Sequence, residues 1–413
     1  MAIPVEEYLA HLLADVGVLG VEEVAVTRAG GRVLAQDLVA RLAVPPFDNS
    51  AMDGFALRAG DAIEGMVPVV GDVPAGGRLP VPLAAGTAVR IMTGAPVPAG
   101  ADCVVPVEDT DQPSGPAPLP ATIRVRSAPR PGQHVRRAGD DVAVGDVVIA
   151  AGTRLGAAAL ASAISIGYGH LPCHRRPRVV VVATGSELTA PGAPLGPGMI
   201  PDSNSTLIAA LAEESHCEVV GVHTVPDDVG ELARVLARAA AEADLIVSSG
   251  GVSAGAFDVV KELTAAAGFT FAQVAMQPGK PQGHGFVAGP AGRRTPMVTL
   301  PGNPVSVFVS FHIFVRPVLA AMEGELATPA YLRARALRGW ASPAGRRQVI
   351  PVRLTPPESP EDPVPGATPT HRLGSGSHLV ASLHRANALA IIPEDTTRVA
   401  AGDLVAVTLV GRF

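Results

Sequence analysis

Apolar residues follow three different spacings along this chain of 413 residues. Near the N-terminus they recur every three or four positions, which predicts an amphipathic helix that ends near Gly17. From the corner at Pro45 and Pro46 to about Asp140, short apolar runs such as VPVVG, AVRIM and CVVPV are separated by Gly and Pro, which predicts a small module of short strands. The segment GAAALASAISIGYG then predicts a short helix of small residues.

From Pro177 onward, longer apolar runs alternate with helical segments. The continuous run RVVVVATG is typical of a strand that is buried on both faces. Further strands are predicted in CEVVGVHTV, in DLIVSSGG and, after a Gly/Pro loop, in TPMVTLPGN. Helices are predicted at 203–215, at 229–243, from about Asp258, and at 304–322. This alternation predicts a doubly wound, mostly parallel α/β sheet, and the short runs after Gly324 predict a C-terminal β-domain.

The composition limits the classes of partner. Hydrophobic residues make up 47% of the chain, aromatic residues 3% and charged residues 17%, with a net charge of −6. No basic stripe with interleaved aromatic residues is present, so nucleic acid is not an expected partner. Lys261 and Lys280 are the only lysines. A coding bias toward Arg is the favoured explanation, but the rarity of lysine makes Lys280 a residue of interest.

The cysteines and the N-terminus suggest a cellular compartment. Cys103, Cys173 and Cys217 lie far apart and no two have metal-ligand spacing, which favours free thiols in a reducing compartment. The N-terminal segment carries acids rather than a basic region followed by an apolar run. No segment is expected to approach the length of a transmembrane helix. We therefore expect a soluble, cytoplasmic protein without a membrane partner.

Three loops rich in Gly and small hydroxyl residues follow predicted strands of the α/β sheet. They are the segments 184–187, 248–253 and 300–304. Glycine lets backbone N–H groups approach a ligand oxygen, and a helix N-terminus adds its positive dipole end. For any single loop, a tight strand-to-helix turn is the simpler interpretation. Three such loops on one sheet edge favour a site for a phosphate or another tetrahedral oxyanion.

Carboxylates are predicted at the same edge of the sheet. Glu187 and Asp258 belong to this loop edge, and Asp227 and Asp228 follow the second strand. Acids beside a phosphate repel it unless a cation lies between them, which predicts Mg²⁺ held by one or two carboxylates. Capping of a helix N-terminus is the favoured role for Asp202, and Asp258 is open to either role.

Polar residues also cluster in the β-module, where the spacing alone indicates only polar turns. PPFDNSAMDGFA contains Asp48, Asn49, Ser50 and Asp53, and RIMTGAPVP contains Thr93. VRRAGDDV places Arg136 and Arg137 near Asp140 and Asp141. Nothing in the spacing of these residues predicts that they face the α/β loops.

Seven segments occur in one order along the chain: PPFDNSAMDGFA, RIMTGAPVPAGAD, RRAGDD, ATGSEL, SSGGVSAGAFD, PGKPQG and LPGNPVS. In this combination the chain resembles the molybdopterin molybdenumtransferase family, which includes the bacterial MoeA proteins and the E domain of gephyrin. The resemblance covers essentially the whole chain. The DNSAMDG and LPGNPVS segments are the most specific, whereas SSGG is shared with related pterin-binding adenylyltransferases.

The resemblance implies a molybdenum insertase. It implies that molybdate is inserted into adenylylated molybdopterin, with Mg²⁺, and that AMP is released as the molybdenum cofactor forms. It also implies a homodimer whose active site lies between the α/β domain of one subunit and the β-module of the other. Further implied partners are the molybdopterin adenylyltransferase and recipient molybdoenzymes. The implied parts are 1–44 with 141–173 as a linking domain, 45–140 as the inserted β-module, 174–325 as the α/β domain and 326–413 as a C-terminal β-barrel-like domain.

The candidate site combines the loops with the residues that match the family motifs. The candidate catalytic residues are Asp53, Thr93, Asp141, Glu187, Asp227 and Asp258. Metal ligation is assigned to Glu187, Asp227 and Asp258. The candidate substrate-binding residues are Arg136, Thr184, Gly185, Ser249, Gly250, Gly251, Ser253, Lys280, Pro301, Gly302, Asn303, Pro304 and Ser375.

The chain departs from the family pattern at a few positions. Gln273 and Gln277 occupy places where members of the family often have lysine, and His284 replaces a phenylalanine. The family's GHQGS segment is reduced to RLGSGS, around Ser375. Two other functions stay open: adenylylation of molybdopterin, which would consume ATP, and a non-catalytic pterin-binding scaffold. Carboxylates in a cleft argue against a pure scaffold.

Overall fold

The computed structural model describes residues 2–62, 65–76, 81–252, 259–264, 268–325, 331–357, 359–371 and 376–410. The chain begins with helix α1 (Val5–Ala14), followed by strands β1 (Val21–Ala25) and β2 (Leu38–Val39). The helix ends a turn before the predicted end at Gly17. Its Tyr8 is fully buried and packs edge-on against Phe314, so α1 belongs to the core of the α/β domain.

The predicted β-module is a separate sheet with its own cores. Its strands are β3 (Asn49–Ser50), β4 (Gly54–Leu57), β5 (Val67–Val73), β6 (Ala88–Ile91), β7 (Cys103–Pro106), β8 (Thr122–Ile123) and β9 (Val135–Arg136). Five of them form a sheet in the order β7-β4-β6-β5-β8, and β3 pairs with β9. The polypeptide enters and exits this module at one place, where the backbones of Val44 and Val142 pair.

After the β-module, the chain completes a small linking unit. It consists of β1 and β2 together with β10 (Val147–Ile149), α2 (Ala157–Ser165) and β11 (His170–His174). Strand β10 pairs with β2, and β11 pairs with β1, both antiparallel. The two halves of this unit therefore come from either side of the insertion and share one hydrophobic core.

The α/β domain positions the candidate site. Its elements are β12 (Arg178–Thr184), β13 (Leu188–Thr189), β14 (Ile200–Pro201), α3 (Asn204–Glu214), β15 (Glu218–Val225), α4 (Val229–Glu242), β16 (Leu245–Ser249), α5 (Val259–Thr264), β17 (Thr270–Gln273), β18 (Met276–Gln277), β19 (Pro281–Ala288), β20 (Arg294–Leu300), α6 (Pro304–Ser310) and α7 (Arg316–Met322). The main sheet has the order β15-β12-β16-β20-β19-β17, and its first four strands are parallel. Apolar clusters cover both faces, which confirms the predicted mostly parallel α/β sheet.

The prediction of a Gly/Pro loop before the last strand of the sheet is wrong in part, because this segment contains β17, β19 and a short β18. Both longer strands are antiparallel to their neighbours. A Cβ on Gly285 would lie 2.3 Å from the Phe269 ring, and one on Gly283 would lie 3.0 Å from the Phe271 ring. These glycines make room for the rings on the adjacent segment. They do not mark a loop.

A π-helical segment (Phe311–Val315) joins α6 and α7, so the predicted helix 304–322 is confirmed as one element. By length and composition this helix could span a membrane, which makes the expectation of no such segment wrong. In this fold, however, 67% of its apolar window is buried, and its side chains form the centre of the α/β core. The helix is therefore explained as a core helix.

The C-terminal β-domain is a closed barrel. Its strands are β21 (Leu332–Ala336), β22 (Trp340–Ala341), β23 (Arg347–Thr355), β24 (Gly366–Pro369), β25 (Ala388–Ile392), β26 (Arg398–Val399) and β27 (Leu404–Leu409). The order β23-β24-β21-β27-β25 closes because β25 also pairs with β23. Strand β18 of the α/β domain adds to this ring by pairing parallel with β23. Short 3-10 turns lie at Val26–Arg28, Ala59–Ala62, Val107–Asp109, Pro290–Gly292 and Val380–Arg385.

His312 in the π-helical segment is a buried titratable group. Both of its ring nitrogens are inaccessible and lack a hydrogen-bond partner, and the ring packs edge-on against Phe308. Burial lowers the pKa of His312 to about 3. Because the unfolded chain protonates first, the stability of the fold falls as the pH drops from 6.5 toward 3.

We expect His312→Phe to stabilise the protein at pH 7 by about 1–3 kcal/mol, because it removes unpaired buried polar atoms. Between pH 6.5 and 5, the free energy of unfolding of the variant should also fall by about 2 kcal/mol less than that of the wild type. Urea unfolding of both proteins at the two pH values measures this. An equal loss in the variant would exclude His312 as the source.

Candidate active site

A cavity of about 400 Å³ opens at the carboxyl ends of the parallel strands, where a doubly wound sheet is expected to bind its ligand. It collects residues from all three predicted loops. The predicted site residues that line it are Thr184, Gly185, Glu187, Asp227, Ser249, Gly250, Gly251, Pro301, Gly302, Asn303 and Pro304. Ser253, Asp258 and Ser375 lie outside the described residues.

Backbone hydrogen bonds fix the first two loops against the ends of neighbouring strands. The N–H of Gly250 donates to the Leu300 carbonyl at 3.1 Å, and the N–H of Gly185 donates to the Val225 carbonyl at 3.1 Å. Gly250 has a φ of +89°, and a Cβ there would lie 2.8 Å from the Thr184 carbonyl oxygen. Only glycine fits this position without moving the strand end. The backbone itself therefore forms this wall of the cavity.

The LPGNP turn also lines the cavity and starts the core helix. Asn303 precedes the helix, and its side chain makes no capping bond. The N–H of Val305 instead donates to the Ser377 carbonyl at 3.1 Å. Hence the segment just after Ser375, in the C-terminal domain, reaches the first turn of this helix.

Three carboxylates border the cavity, and the described lining contains no basic residue. Glu187 and Asp227 are exposed, whereas Asp202 is only 3% exposed. Asp227 accepts a bond from the Ser186 N–H at 3.0 Å, and the Ser186 hydroxyl accepts one from the Asp227 N–H at 2.9 Å. This reciprocal pair holds the Asp227 carboxylate at the mouth of the cavity.

The other two acids near this edge cap helices. Asp202 accepts from the Ser205 N–H at 3.0 Å and from the Thr224 hydroxyl at 2.7 Å, as its predicted capping role requires. Asp228 accepts from the Glu231 N–H at the start of α4. Both carboxylates therefore stabilise the starts of helices. Within the described ranges, no three His, Cys, Asp or Glu side chains lie close enough together to hold a metal by themselves.

The candidate residues of the β-module lie apart from this cavity in the single chain. Asp53 borders a separate cavity of about 740 Å³ and accepts bonds from the Thr93 N–H at 2.6 Å and the Thr93 hydroxyl at 2.8 Å. These two bonds lower the pKa of Asp53, so it stays a carboxylate. Arg136 is exposed on the same module, and Asp141 is exposed just beyond it, at the start of the second linking segment. One chain therefore presents two separate halves of the candidate site.

The neighbouring acid Asp48 has a structural role. It binds the Arg137 guanidinium at 2.6 Å and accepts from the Ala138 N–H at 2.9 Å. The backbone bond and the arginine together lower the pKa of Asp48. The Arg137 N–H also donates to Asp140 at 2.6 Å. These contacts join the DNSAMDG and RRAGDD segments, which the sequence separates widely.

Comparison with known protein families covers nearly the whole chain. Residues 3–167 match the MoeA N-terminal region (domain I and II), residues 180–321 a probable molybdopterin binding domain, and residues 333–410 the MoeA C-terminal region (domain IV). A protein named molybdopterin molybdenumtransferase 2 from Mycobacterium tuberculosis is 44% identical over 92% of each chain. The chain is a member of the molybdopterin molybdenumtransferase family.

Further relatives agree with this assignment. A molybdopterin molybdenumtransferase from Haemophilus influenzae is 32% identical over 92% of this chain and 91% of its own length. A crystal structure of the MoeA molybdopterin biosynthesis protein from Pyrococcus horikoshii OT3 is 29% identical, with a TM-score of 0.82 over 99% of this chain and all of that one. The family resemblance predicted from the motifs is confirmed.

The positions where this member departs from the family pattern lie on strands β17, β18 and β19. Lys280 is exposed and precedes Pro281, which lines the cavity. Gln273 ends β17 and Gln277 ends β18. His284 is 8% exposed on β19, against the Tyr8 ring of α1, and burial lowers its pKa. His284 therefore fills a core position between α1 and the sheet.

Sequence reasoning missed Asn204, which lines the cavity from the start of α3. Its amide N–H donates to the Gly302 carbonyl at 2.7 Å, so it ties α3 to the LPGNP turn. Leu188, Ile200 and Val252 add apolar walls that were also missed. The signal in the sequence was the Asn of the PDSNS run. It was overlooked because Asn at a helix start is usually explained by capping.

Proposed function

We propose that this protein is a molybdenum insertase that converts adenylylated molybdopterin and molybdate into molybdenum cofactor and AMP. The observation that carries the proposal is the cavity at the strand ends, where glycine loops, a helix start and two exposed carboxylates meet in a member of this family. The reaction hydrolyses a phosphoric anhydride to release AMP, and two molybdate oxygens leave as water when the two dithiolene sulfurs of the pterin bind molybdenum.

The donor atoms available in the cavity fit Mg²⁺. Glu187 and Asp227 offer carboxylate oxygens, and the described lining contains no cysteine or histidine. Mg²⁺ prefers oxygen ligands and is usually held by one or two carboxylates together with substrate phosphates. We propose Glu187, Asp227 and Asp258 as its ligands. When bound, Mg²⁺ would neutralise charge on the phosphate oxygens and polarise the anhydride bond.

In our proposal the protein's own groups position the reactants. The backbone of Gly250 and Gly251 and the first turn after Asn303 would hold phosphate or molybdate oxygens, because N–H groups at such turns attract anions. Ser249 and Thr184 supply the hydroxyl-bearing side chains at the strand ends. Lys280 would offset negative charge from the rim.

We propose that a homodimer completes the site. Asp53, Thr93 and Arg136 lie on the β-module and Asp141 lies at its boundary, all of them apart from the cavity of the same chain, and a second copy would bring them to it. We also propose that the four predicted parts act as separate domains and that the protein works in the cytoplasm. Molybdopterin adenylyltransferase and recipient molybdoenzymes are its proposed partners.

The test is AMP release from adenylylated molybdopterin by the purified protein, with and without molybdate and Mg²⁺. Release that needs both, with molybdenum recovered on the pterin, supports the insertase. Tight binding without release would point to the scaffold alternative. Formation of adenylylated pterin from ATP and free molybdopterin would identify the adenylyltransferase alternative.

A further inference from the structure

A buried polar network lies beneath the loop that carries Lys280. The side-chain amide of Gln282 donates to the Gly279 carbonyl at 2.7 Å and to the Ser310 hydroxyl at 2.7 Å. Gln282 and Ser310 are both fully buried. One comes from β19 and the other from the core helix that begins at the LPGNP turn. The network therefore connects two segments that border the cavity.

The backbone on both sides of Lys280 is fixed by this arrangement. Gly279 has a φ of +99°, and a Cβ there would lie 2.8 Å from the Ser310 hydroxyl oxygen. The Lys280 carbonyl accepts from the Val274 N–H at 2.7 Å, and Pro281 begins β19. The side chain of Lys280 itself is exposed. Backbone atoms held by hydrogen bonds on both sides of Lys280 thus present an exposed cation.

The buried polar network lowers the stability of the fold, so its presence needs a reason other than stability. The Gln282 carbonyl oxygen is buried without a partner, and such an atom costs about 1–3 kcal/mol. An apolar side chain would fill the same space without that cost. A directional amide, unlike an apolar group, specifies where the Gly279 carbonyl must lie.

The charge around the cavity supplies that explanation. Glu187, Asp202 and Asp227 border it, and the described lining holds no cation. An anionic ligand would therefore depend on Lys280 as the cation adjoining the lining. We infer that Gln282 and Ser310 are positioning residues for the proposed reaction, which hold the Gly279 turn so that Lys280 reaches the ligand phosphate. The inference rests on the proposed function.

The test compares Gln282→Met/Ser310→Ala, Lys280→Gln and the triple variant. Removing both polar partners together leaves less buried polarity unpaired than removing one, so the double variant is expected to melt within a few degrees of the wild type. Calorimetric titration with AMP and Mg²⁺ then measures affinity. We expect Lys280→Gln to weaken AMP binding about 10-fold, as loss of a charge-assisted hydrogen bond would.

The double variant should weaken AMP binding several-fold, and the triple variant should bind no worse than Lys280→Gln alone. Thr295→Val is the matched control, because it removes a buried 2.9 Å bond to the Ala240 carbonyl at the opposite end of the sheet. It should lower the melting temperature and leave AMP affinity unchanged.

If the double variant fails to fold, Ser310→Ala alone replaces it, because this variant keeps the Gln282–Gly279 bond. Its AMP affinity should fall by less than that of the double variant. In the Lys280→Gln background, Ser310→Ala should cause no further loss of AMP affinity. Wild-type AMP affinity in a folded double variant, or losses that simply multiply in the triple variant, would overturn the inference while leaving the insertase proposal intact. A wild type that neither binds nor releases AMP would instead overturn the proposed function.

Discussion

Replacing Asp244 by alanine is expected to destabilise the α/β domain by about 1.5–3 kcal/mol, because it removes a buried carboxylate that makes charge-assisted hydrogen bonds to partly exposed arginines. The Asp244 side chain is 5% exposed. It accepts from both terminal nitrogens of Arg175 at 2.8 and 3.1 Å, from the Arg178 N–H at 2.9 Å and from Arg293 at 3.1 Å. One carboxylate thus ties together the starts of β12, β16 and β20.

Burial opposes ionisation of Asp244, but the hydrogen bonds and charges of Arg175 and Arg178 prevail and lower its pKa. The stability that this group contributes is therefore present above pH 3.8 and is lost as the pH falls further. Urea unfolding at pH 7 measures the effect of the substitution.

Glu242→Ala is the matched control for Asp244→Ala. Glu242 forms an exposed ion pair with Arg238 one turn away on α4. Exposed pairs of this kind contribute about 0.3–0.5 kcal/mol, so the control should be nearly neutral. An Asp244→Ala protein as stable as the Glu242→Ala protein would contradict the role assigned to this cluster.

Replacing Asp227 by asparagine is expected to lower kcat/KM for AMP release by about 10²-fold or more, with little change in stability. Asparagine keeps an oxygen that can accept from the Ser186 N–H, so the local fold is preserved. It removes the charge that would bind Mg²⁺, whose effect on a reacting phosphate amounts to several kcal/mol. Steady-state kinetics over a range of Mg²⁺ concentrations measure the loss.

Higher Mg²⁺ should restore part of the Asp227→Asn activity, because weaker binding of the ion is part of the defect. The adjacent Asp228→Asn is the control: it alters the cap of α4, where the Glu231 N–H donates at 2.6 Å. That change should cost at most about 1 kcal/mol of stability and leave turnover intact. Normal turnover in Asp227→Asn would exclude Asp227 as a metal ligand.

The amino-acid pattern predicts the parallel part of the sheet well and the antiparallel part poorly. Runs such as Val179–Val182 are uniformly apolar because both faces of β12 are buried, and that signal depends on composition alone. Strand β19 carries Gly283 and Gly285, which resemble loop residues in sequence. These glycines leave space for the rings of Phe269 and Phe271. That contact is tertiary, so the local sequence pattern cannot predict it.

The same distinction applies to the candidate site. Loop residues at strand ends could be predicted, because strand direction alone brings them to one edge. Asn204 could not, since its bond to Gly302 depends on how α3 packs against the LPGNP turn. The cation-positioning role of Gln282 was equally hidden, because a polar residue after a proline suggests an exposed loop, whereas this one is fully buried.

The pairing of β18 with β23 affects how this protein could be recombined with its relatives. Met276 lies opposite Arg347, and the Arg347 N–H donates to the Ala275 carbonyl at 2.9 Å. Arg347 also forms ion pairs with Glu6 of α1 and with Glu394. A barrel exchanged at residue 325 would therefore be separated from β18, which pairs with its β23, and from Glu6, which pairs with its Arg347. Chimaeras of this family would need a crossover that transfers β18 and α1 together with the barrel.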